Sequence, residues 1–223
     1  IIRTPIESEL EAFKELYDSS LSSSNTLLDS VVAHIRQRSG KMMRPILVLL
    51  VARLYGVVSP ATLHAAVSLE LLHNASLVHD DVVDESTERR GQLSVNAIFN
   101  NKVAVLTGDY LLATSLVHAE LTNSHQIIRL VSSLGQDLAD GELLQLSNVS
   151  NHSFSETVYF DVIRKKTAAL FAACTEAAAY SVGVSEEEVK LARLLGEYIG
   201  ICFQIKDDIF DYFDSKEIGK PTG

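Results

Sequence analysis

Proline is scarce in this chain, and where it occurs it stands at a beginning. There are four prolines in 223 residues. Pro5, Pro45 and Pro60 each sit where a helix would start, and Pro221 lies in a polar tail. Proline lacks an amide donor, so a helix tolerates it in the first turn and not in the interior. Between these points the sequence, 47% hydrophobic, runs on with apolar residues three and four apart. Long helices suit that pattern better than many short strands. The first helix carries Leu10, Phe13, Leu16 and Tyr17. Further helices are predicted over 27–37, 45–56, 60–84, 103–121, 125–146, 155–181 and 186–213. Residues 19–25 and 85–94 read as loops, and strands find little support. Ser59 before Pro60, and Ser185 three residues before Glu188, have cap and capping-box spacing. The chain length suits one domain.

The net charge is -10. A nucleic-acid surface must neutralise phosphates with Lys and Arg, so that partner class is excluded. A small anionic substrate is still compatible, given local cations and metal ions that reverse the acidic field. Cys174 and Cys202 both fall in apolar helical stretches. They read as two buried thiols in a reducing compartment, not as a disulfide scaffold. No basic-then-apolar leader opens the sequence. The apolar run 45–52 is short, and the Ala-rich run 167–184 carries Glu176, so both read as packed core with no integral membrane segment. A soluble, cytoplasmic protein is expected.

Two acidic clusters carry the chemistry. Asp80-Asp81-Val82-Val83-Asp84 closes the third long helix, and Asp207-Asp208-Ile209-Phe210-Asp211 closes the last one. Each is a DDxxD pattern beside apolar residues. Residues four apart share a helical face, so Asp80 pairs with Asp84, and Asp207 with Asp211. Carboxylates crowded on one face repel and raise each other's pKa. Hard cations with oxygen ligands offset that cost. Mg²⁺ accepts one or two carboxylates, several waters and substrate phosphates. The plainer reading, two solvated acidic helix ends, weakens when the pattern occurs twice in apolar context.

Cations flank the same helices. Gly40-Lys41-Met42-Met43-Arg44-Pro45 puts Lys41 and Arg44 at a helix start. Arg89-Arg90-Gly91 follows the first cluster, and Lys165-Lys166-Thr167 interrupts an apolar helix. Arg forks and mobile Lys charges both suit phosphate oxygens. Taken singly, each could be ordinary surface.

Together these residues resemble the trans-isoprenyl diphosphate synthases, or polyprenyl synthetases, in order along essentially the whole chain. The series includes Gly40-Lys41-x-x-Arg44-Pro45 and Leu72-His73-x-x-Ser76-Leu77-x-His79-Asp80-Asp81-x-x-Asp84. Arg89-Arg90-Gly91, Gly108-Asp109, Gly141-Glu142-x-x-Gln145 and Lys166-Thr167 follow. Phe203-Gln204-Ile205-x-Asp207-Asp208-x-x-Asp211 and Gly219-Lys220 close it. The resemblance implies an all-α, single-domain bundle of roughly ten mostly antiparallel helices around a central catalytic cavity, the isoprenoid synthase fold. It also implies a medium- or long-chain prenyltransferase that condenses isopentenyl diphosphate with an allylic diphosphate, farnesyl or geranylgeranyl.

The implied roles go residue by residue. Asp80 and Asp84 look like ligands of two Mg²⁺ ions, and Asp207 like the main ligand of a third. Asp81, Asp208 and Asp211 would act partly through water. Arg89, Lys166, Thr167, Gln204 and Lys220 look like contacts to the allylic diphosphate. Lys41, Arg44, His73 and Arg90 look like the isopentenyl diphosphate cradle. Glu142 and Gln145 match positions near the reacting carbons and metal waters. On its residue type alone, His73 would be a core histidine.

Ala75 and Ser76, five and four residues before Asp80, point roughly the same way. Short-chain members carry an aromatic floor there. Its absence implies products longer than fifteen carbons, with Leu72 one turn deeper as a partial stop. Close helix packing is the plainer account of these small residues. The resemblance also implies a homodimer. Family members continue through further helices beyond the equivalent of Lys220, so 1–223 is expected to lack the C-terminal helices. Two alternatives stand: an inert or regulatory subunit of a heteromeric synthase, and a class I terpene cyclase.

Overall fold

The helix boundaries follow from side chains that satisfy terminal amides. The computed structural model describes residues 3–37, 42–89, 91–150 and 155–212, with the backbone alone at 148–150 and 211–212. Ser59 opens helix α4 (Pro60–Val83): its hydroxyl accepts from the Thr62 amide at 3.3 Å, and Thr62 Oγ1 accepts from the Ser59 amide at 3.1 Å. Helix α10 (Glu186–Tyr212) opens on the expected box, with the Ser185 amide donating to Glu188 at 3.1 Å and the Glu188 amide donating to Ser185 at 3.3 Å. Such caps satisfy amides that the helix itself leaves unpaired.

Before α4 come a 3₁₀ turn at Thr4–Ile6 and helices α1 (Glu7–Ser20), α2 (Thr26–Gln37) and α3 (Met43–Tyr55). After it come a short hairpin of β1 (Glu88–Arg89) and β2 (Gln92–Leu93), then helices α5 (Val95–Phe99), α6 (Asn101–Glu120) and α7 (His125–Ser150). Helix α8 (Glu156–Ile163) passes through a π turn at Arg164–Ala168 into α9 (Ala169–Ser181), so the two form one rod. The all-α expectation holds, and its long helices are where the apolar spacing put them.

Helix α4 is the central column. Its Val67, Leu69, Leu71 and Leu72 are buried, and it packs on α3, α6 and α9. Burying a side chain of this kind contributes about 1.5–3 kcal/mol. Polar side chains also bind α4 to α6: Ser68 donates to the Ser115 carbonyl at 2.8 Å, and the His64 and His118 Nδ1 atoms are 3.0 Å apart. The Ala-rich run is core, as expected, with Ala172, Ala173, Ala177, Ala178 and Ala179 buried in α9. Helix α10 approaches it closely through Gly196 and Gly200. A Cβ on Gly196 would lie 2.5 Å from the Phe171 carbonyl oxygen, and one on Gly200 2.5 Å from the Ala168 Cα.

Four local expectations need correction. Residues 85–94 are not a plain loop: they form the hairpin, with Arg89 paired to Gln92 and Gly91 at φ +74°. The two-residue strands are too short for alternation to reveal. Helix α6 starts two residues early because Asn100 caps the Val103 amide at 3.1 Å. The helix over 156–181 contains a π turn, which no hydrophobic period announces. Of the two thiols only Cys174 is buried, while Cys202 is exposed on α10. Among the described residues, no helix is long and apolar enough to cross a membrane.

Candidate functional site

The first acidic cluster closes α4. Asp84 ends the helix, its amide bonded to the Asp80 carbonyl at 2.8 Å. Glu85 follows in the left-handed region, φ 51°, and turns the chain back. The hairpin then returns Arg89 to the helix. Its Nε lies 2.5 Å from Oδ1 of Asp81, a carboxylate only 1% exposed. A buried charge needs a partner, and the guanidinium supplies it. Asn96 donates to the carbonyls of Asp81 and Ser86, which fixes the return.

Asp80 is under a different influence. Burial pushes its carboxyl up to about 6, and the negative charge of Glu142 adds to the rise. Lys166 and Arg89 pull the other way, and Asp84 adds to the repulsion. Glu142 lies on α7 with its side chain 14% exposed. One of its oxygens takes an ion pair from Lys166 Nζ at 2.8 Å. The other, Oε1, is buried with no hydrogen-bond partner among the described residues. Lys166 also donates to Gln145 at 3.0 Å. Lys166 stands in the π turn, and Gly141 lets α7 lie against that turn: a Cβ there would sit 3.0 Å from the Lys165 Cβ.

The next residue of the same turn faces the second cluster. Thr167 donates to Gln204 Oε1 at 2.7 Å, and Gln204 Nε2 donates to Asp208 Oδ1 at 2.8 Å. Tyr159 of α8 donates to Asp208 Oδ2 at 2.5 Å. Asp207 is half-buried on α10. The π turn thus presents Lys166 to Glu142 and links Thr167, through Gln204, to Asp208.

These contacts test whether the residues fit Mg²⁺. Glu142 and Asp84 both repel Asp80, and Glu142 keeps a buried oxygen with no partner among the described residues. That donor set is all oxygen and in excess of its cations, which suits a hard divalent ion. Among the described residues no three acidic, histidine or cysteine side chains already converge as a metal group. Ions here would take the rest of their ligands from water and phosphate oxygens.

The structure therefore brings together Asp80, Asp81, Arg89, Glu142, Gln145 and Lys166, and separately Thr167, Gln204 and Asp208. Lys41, Arg90, Lys220 and the Asp211 side chain lie outside the described residues. Arg44 stands over the Phe171 ring, 5.5 Å from its centroid, and tethers α3 to α9. His73 is 8% exposed, two helical turns below Asp80. Ala75 and Leu72 are buried, and Ser76 donates to the His73 carbonyl at 2.9 Å. Sequence reasoning missed three features. Tyr159 carries no motif signal of its own. Lys165 pairs with Asp140 of α7. His79 packs against Gly108, where a Cβ would meet its ring at 2.2 Å, and lies 3.3 Å from Asp109. The adjacent pair Gly108-Asp109 was the available signal for that last contact.

Comparison with known proteins identifies the family. The polyprenyl synthetase family profile matches residues 25–223. The crystal structure of geranylgeranyl pyrophosphate synthase from Bacteroides thetaiotaomicron is 76% identical, with a TM-score of 0.84, covering 100% of this chain and 67% of that one. Heptaprenyl diphosphate synthase component 2 of Geobacillus stearothermophilus is 38% identical over 98% of this chain and 68% of its own length. Octaprenyl diphosphate synthase of Escherichia coli (strain K12) is 36% identical over 91% of this chain and 63% of its own. The chain thus spans about two thirds of the length of these relatives.

Proposed function

This chain belongs to the polyprenyl synthetase family, and on that premise we propose that it is a trans-prenyltransferase joining isopentenyl diphosphate to an allylic diphosphate. One observation carries the reading. Consecutive residues of a π turn, Lys166 and Thr167, reach Glu142 on one side and, through Gln204, Asp208 on the other, which supports a single diphosphate site shared by the two clusters. Residues 1–223 are assigned to one synthase domain.

Asp80, Asp84 and Asp207 would hold Mg²⁺, three ions with diphosphate bound. Asp81, Asp208 and Asp211 would support them through water or orientation. The bound ions supply Lewis-acid stabilisation to the leaving diphosphate. The protein's own cations share that work. Lys166 and Arg89, ion-paired to Glu142 and Asp81, would also contact its oxygens, with Thr167, Gln204 and Lys220 as further contacts. Lys41, Arg44, His73 and Arg90 would hold the isopentenyl diphosphate so that its double bond faces carbon 1 of the allylic partner. The carbon–oxygen bond breaks, the new carbon–carbon bond forms, and a proton leaves to the released diphosphate. Water would have to be excluded from the site, because it would otherwise trap the cation.

The growing chain would run down α4 past Ser76 and Ala75, neither of them aromatic, toward Leu72. Leu72 lies against Gly135 of α7, within 4.0 Å of a Cβ built there. Products longer than fifteen carbons follow. The names of the relatives, geranylgeranyl, heptaprenyl and octaprenyl, support that range. A homodimer is supported by an apolar strip on α6, where Val105, Leu106, Leu116 and Val117 are exposed. The relative named component 2 favours a second reading, a subunit that works with a different partner chain. A cytoplasmic location is part of the proposal.

The test is incubation of the purified full-length protein with isopentenyl and farnesyl diphosphates, with and without Mg²⁺, reading products by mass. Mg²⁺-dependent products above fifteen carbons are expected. No elongation by the folded protein overturns the synthase reading and favours the partnered subunit; a cyclised hydrocarbon from farnesyl diphosphate alone favours a terpene cyclase.

A further inference from the structure

We infer that Tyr159 is a positioning residue of the second acidic cluster, fixing the Asp208 carboxylate from helix α8 before any ion arrives. The inference rests on the prenyltransferase reading. The Tyr159 hydroxyl donates to Asp208 Oδ2 at 2.5 Å, and Gln204 Nε2 donates to Oδ1 at 2.8 Å. Among the described residues each carboxylate oxygen therefore has one protein donor, and the remaining lone pairs point in set directions. The amide of Gln204 is itself locked. Asp208 can only accept, so the NH₂ group must face it, and Oε1 is left to accept from Thr167 at 2.7 Å. The chain Tyr159–Asp208–Gln204–Thr167 begins and ends on the same rod, on either side of the π turn.

That placement depends on the π turn. Tyr159 and Thr167 are eight residues apart, which exceeds two turns of a regular α-helix at 3.6 residues per turn. A π turn takes up about one extra residue. With the turn at Arg164–Ala168 the separation closes to two turns, and both hydroxyls reach the same helix, α10. The ring of Tyr159 is steadied edge-to-face against Phe160, centroids 5.4 Å apart at 72°. A donor that orients a ligating carboxylate, or one that acts through metal-bound water, is worth about 10–100-fold in metal affinity.

The experiment is calorimetric titration of Mg²⁺ into the full-length protein with inorganic diphosphate present, for wild type, Tyr159→Phe and Tyr198→Phe. Tyr198 is an exposed tyrosine of α10 outside the chain of contacts. Tyr159→Phe should weaken Mg²⁺ binding about ten-fold or more with an unchanged melting temperature, while Tyr198→Phe binds as wild type. If Tyr159→Phe lowers the melting temperature, Tyr159→His, which keeps a donor, should recover affinity that Tyr159→Leu does not. Equal Mg²⁺ affinity in wild type and Tyr159→Phe, or equal losses in the His and Leu variants, overturns the inference and leaves the synthase reading standing. A wild-type protein that does not bind Mg²⁺ with diphosphate overturns both.

Discussion

The two acidic clusters share one spacing and are held by different means. In the first, the middle aspartate, Asp81, is sealed from solvent and neutralised by Arg89. In the second, the middle aspartate, Asp208, is half-buried and held by two neutral donors, Tyr159 and Gln204. The first arrangement is part of the fold: remove the cation and a charge is stranded inside. The second leaves a carboxylate that is oriented yet still available. The same five-letter pattern thus gives a structural anchor in the first cluster and, in the second, a carboxylate held by neutral donors, which the proposed function reads as a ligand support. Burial and partners decide which.

The sharpest way to break this contrast is Arg89→Ala. It leaves Asp81 buried and unpaired, so we expect a loss of about 3–5 kcal/mol in urea denaturation. Asp81→Asn in the same background should restore part of it. A loss below 1 kcal/mol would mean that Asp81 is not the anchor described. Next in size is Asp80→Asn, which should cut elongation by on the order of 10²–10³-fold.

The same variant has a stability signature with a defined sign. The folded Asp80 carboxyl is raised to about 6 from an ordinary 3.8. The folded chain therefore binds this proton more tightly than the unfolded one. Stability falls as pH rises from about 4 to about 6 and is level above that. Asp80→Asn should remove that slope and be more stable than wild type at pH 7, by on the order of 1 kcal/mol once solvent screening at this half-buried site is allowed for. A slope unchanged between wild type and variant would place the titration elsewhere.

Gly108→Ala should cost about 1–3 kcal/mol, because its new methyl group collides with the His79 ring. Asp208→Asn should be the mildest, about 1 kcal/mol or less in stability, since its neutral donors do not need a full charge. A larger cost there than for Arg89→Ala would reverse the contrast between the clusters.

The long helices were legible because burial imposes a period, and α4 with its Ser59 cap is the plainest case. So were the members of each cluster, since i to i+4 spacing places carboxylates on one face. What could not be read were contacts made across elements. Nothing near Tyr159 announces Asp208, forty-nine residues on. The π turn leaves no apolar signature, yet it decides which partners Lys166 and Thr167 reach. The return of Arg89 to Asp81 depends on a hairpin with two residues per strand, too brief for alternation to register. Cys202 was expected inside because its neighbours are apolar. It is exposed because the turn that carries it packs Gly200 on Ala168 and leaves residue 202 on the far side.

The central claim is that both clusters serve one diphosphate held between them by the π turn. The direct measurement is anomalous diffraction from crystals of the full-length protein grown with Mn²⁺, as a stand-in for Mg²⁺, and inorganic diphosphate. Mn²⁺ is expected at Asp80 and Asp84 and at Asp207, all bridged by one diphosphate that Lys166 and Arg89 also touch. Mn²⁺ at one cluster alone, or a diphosphate bound away from Lys166, would contradict it.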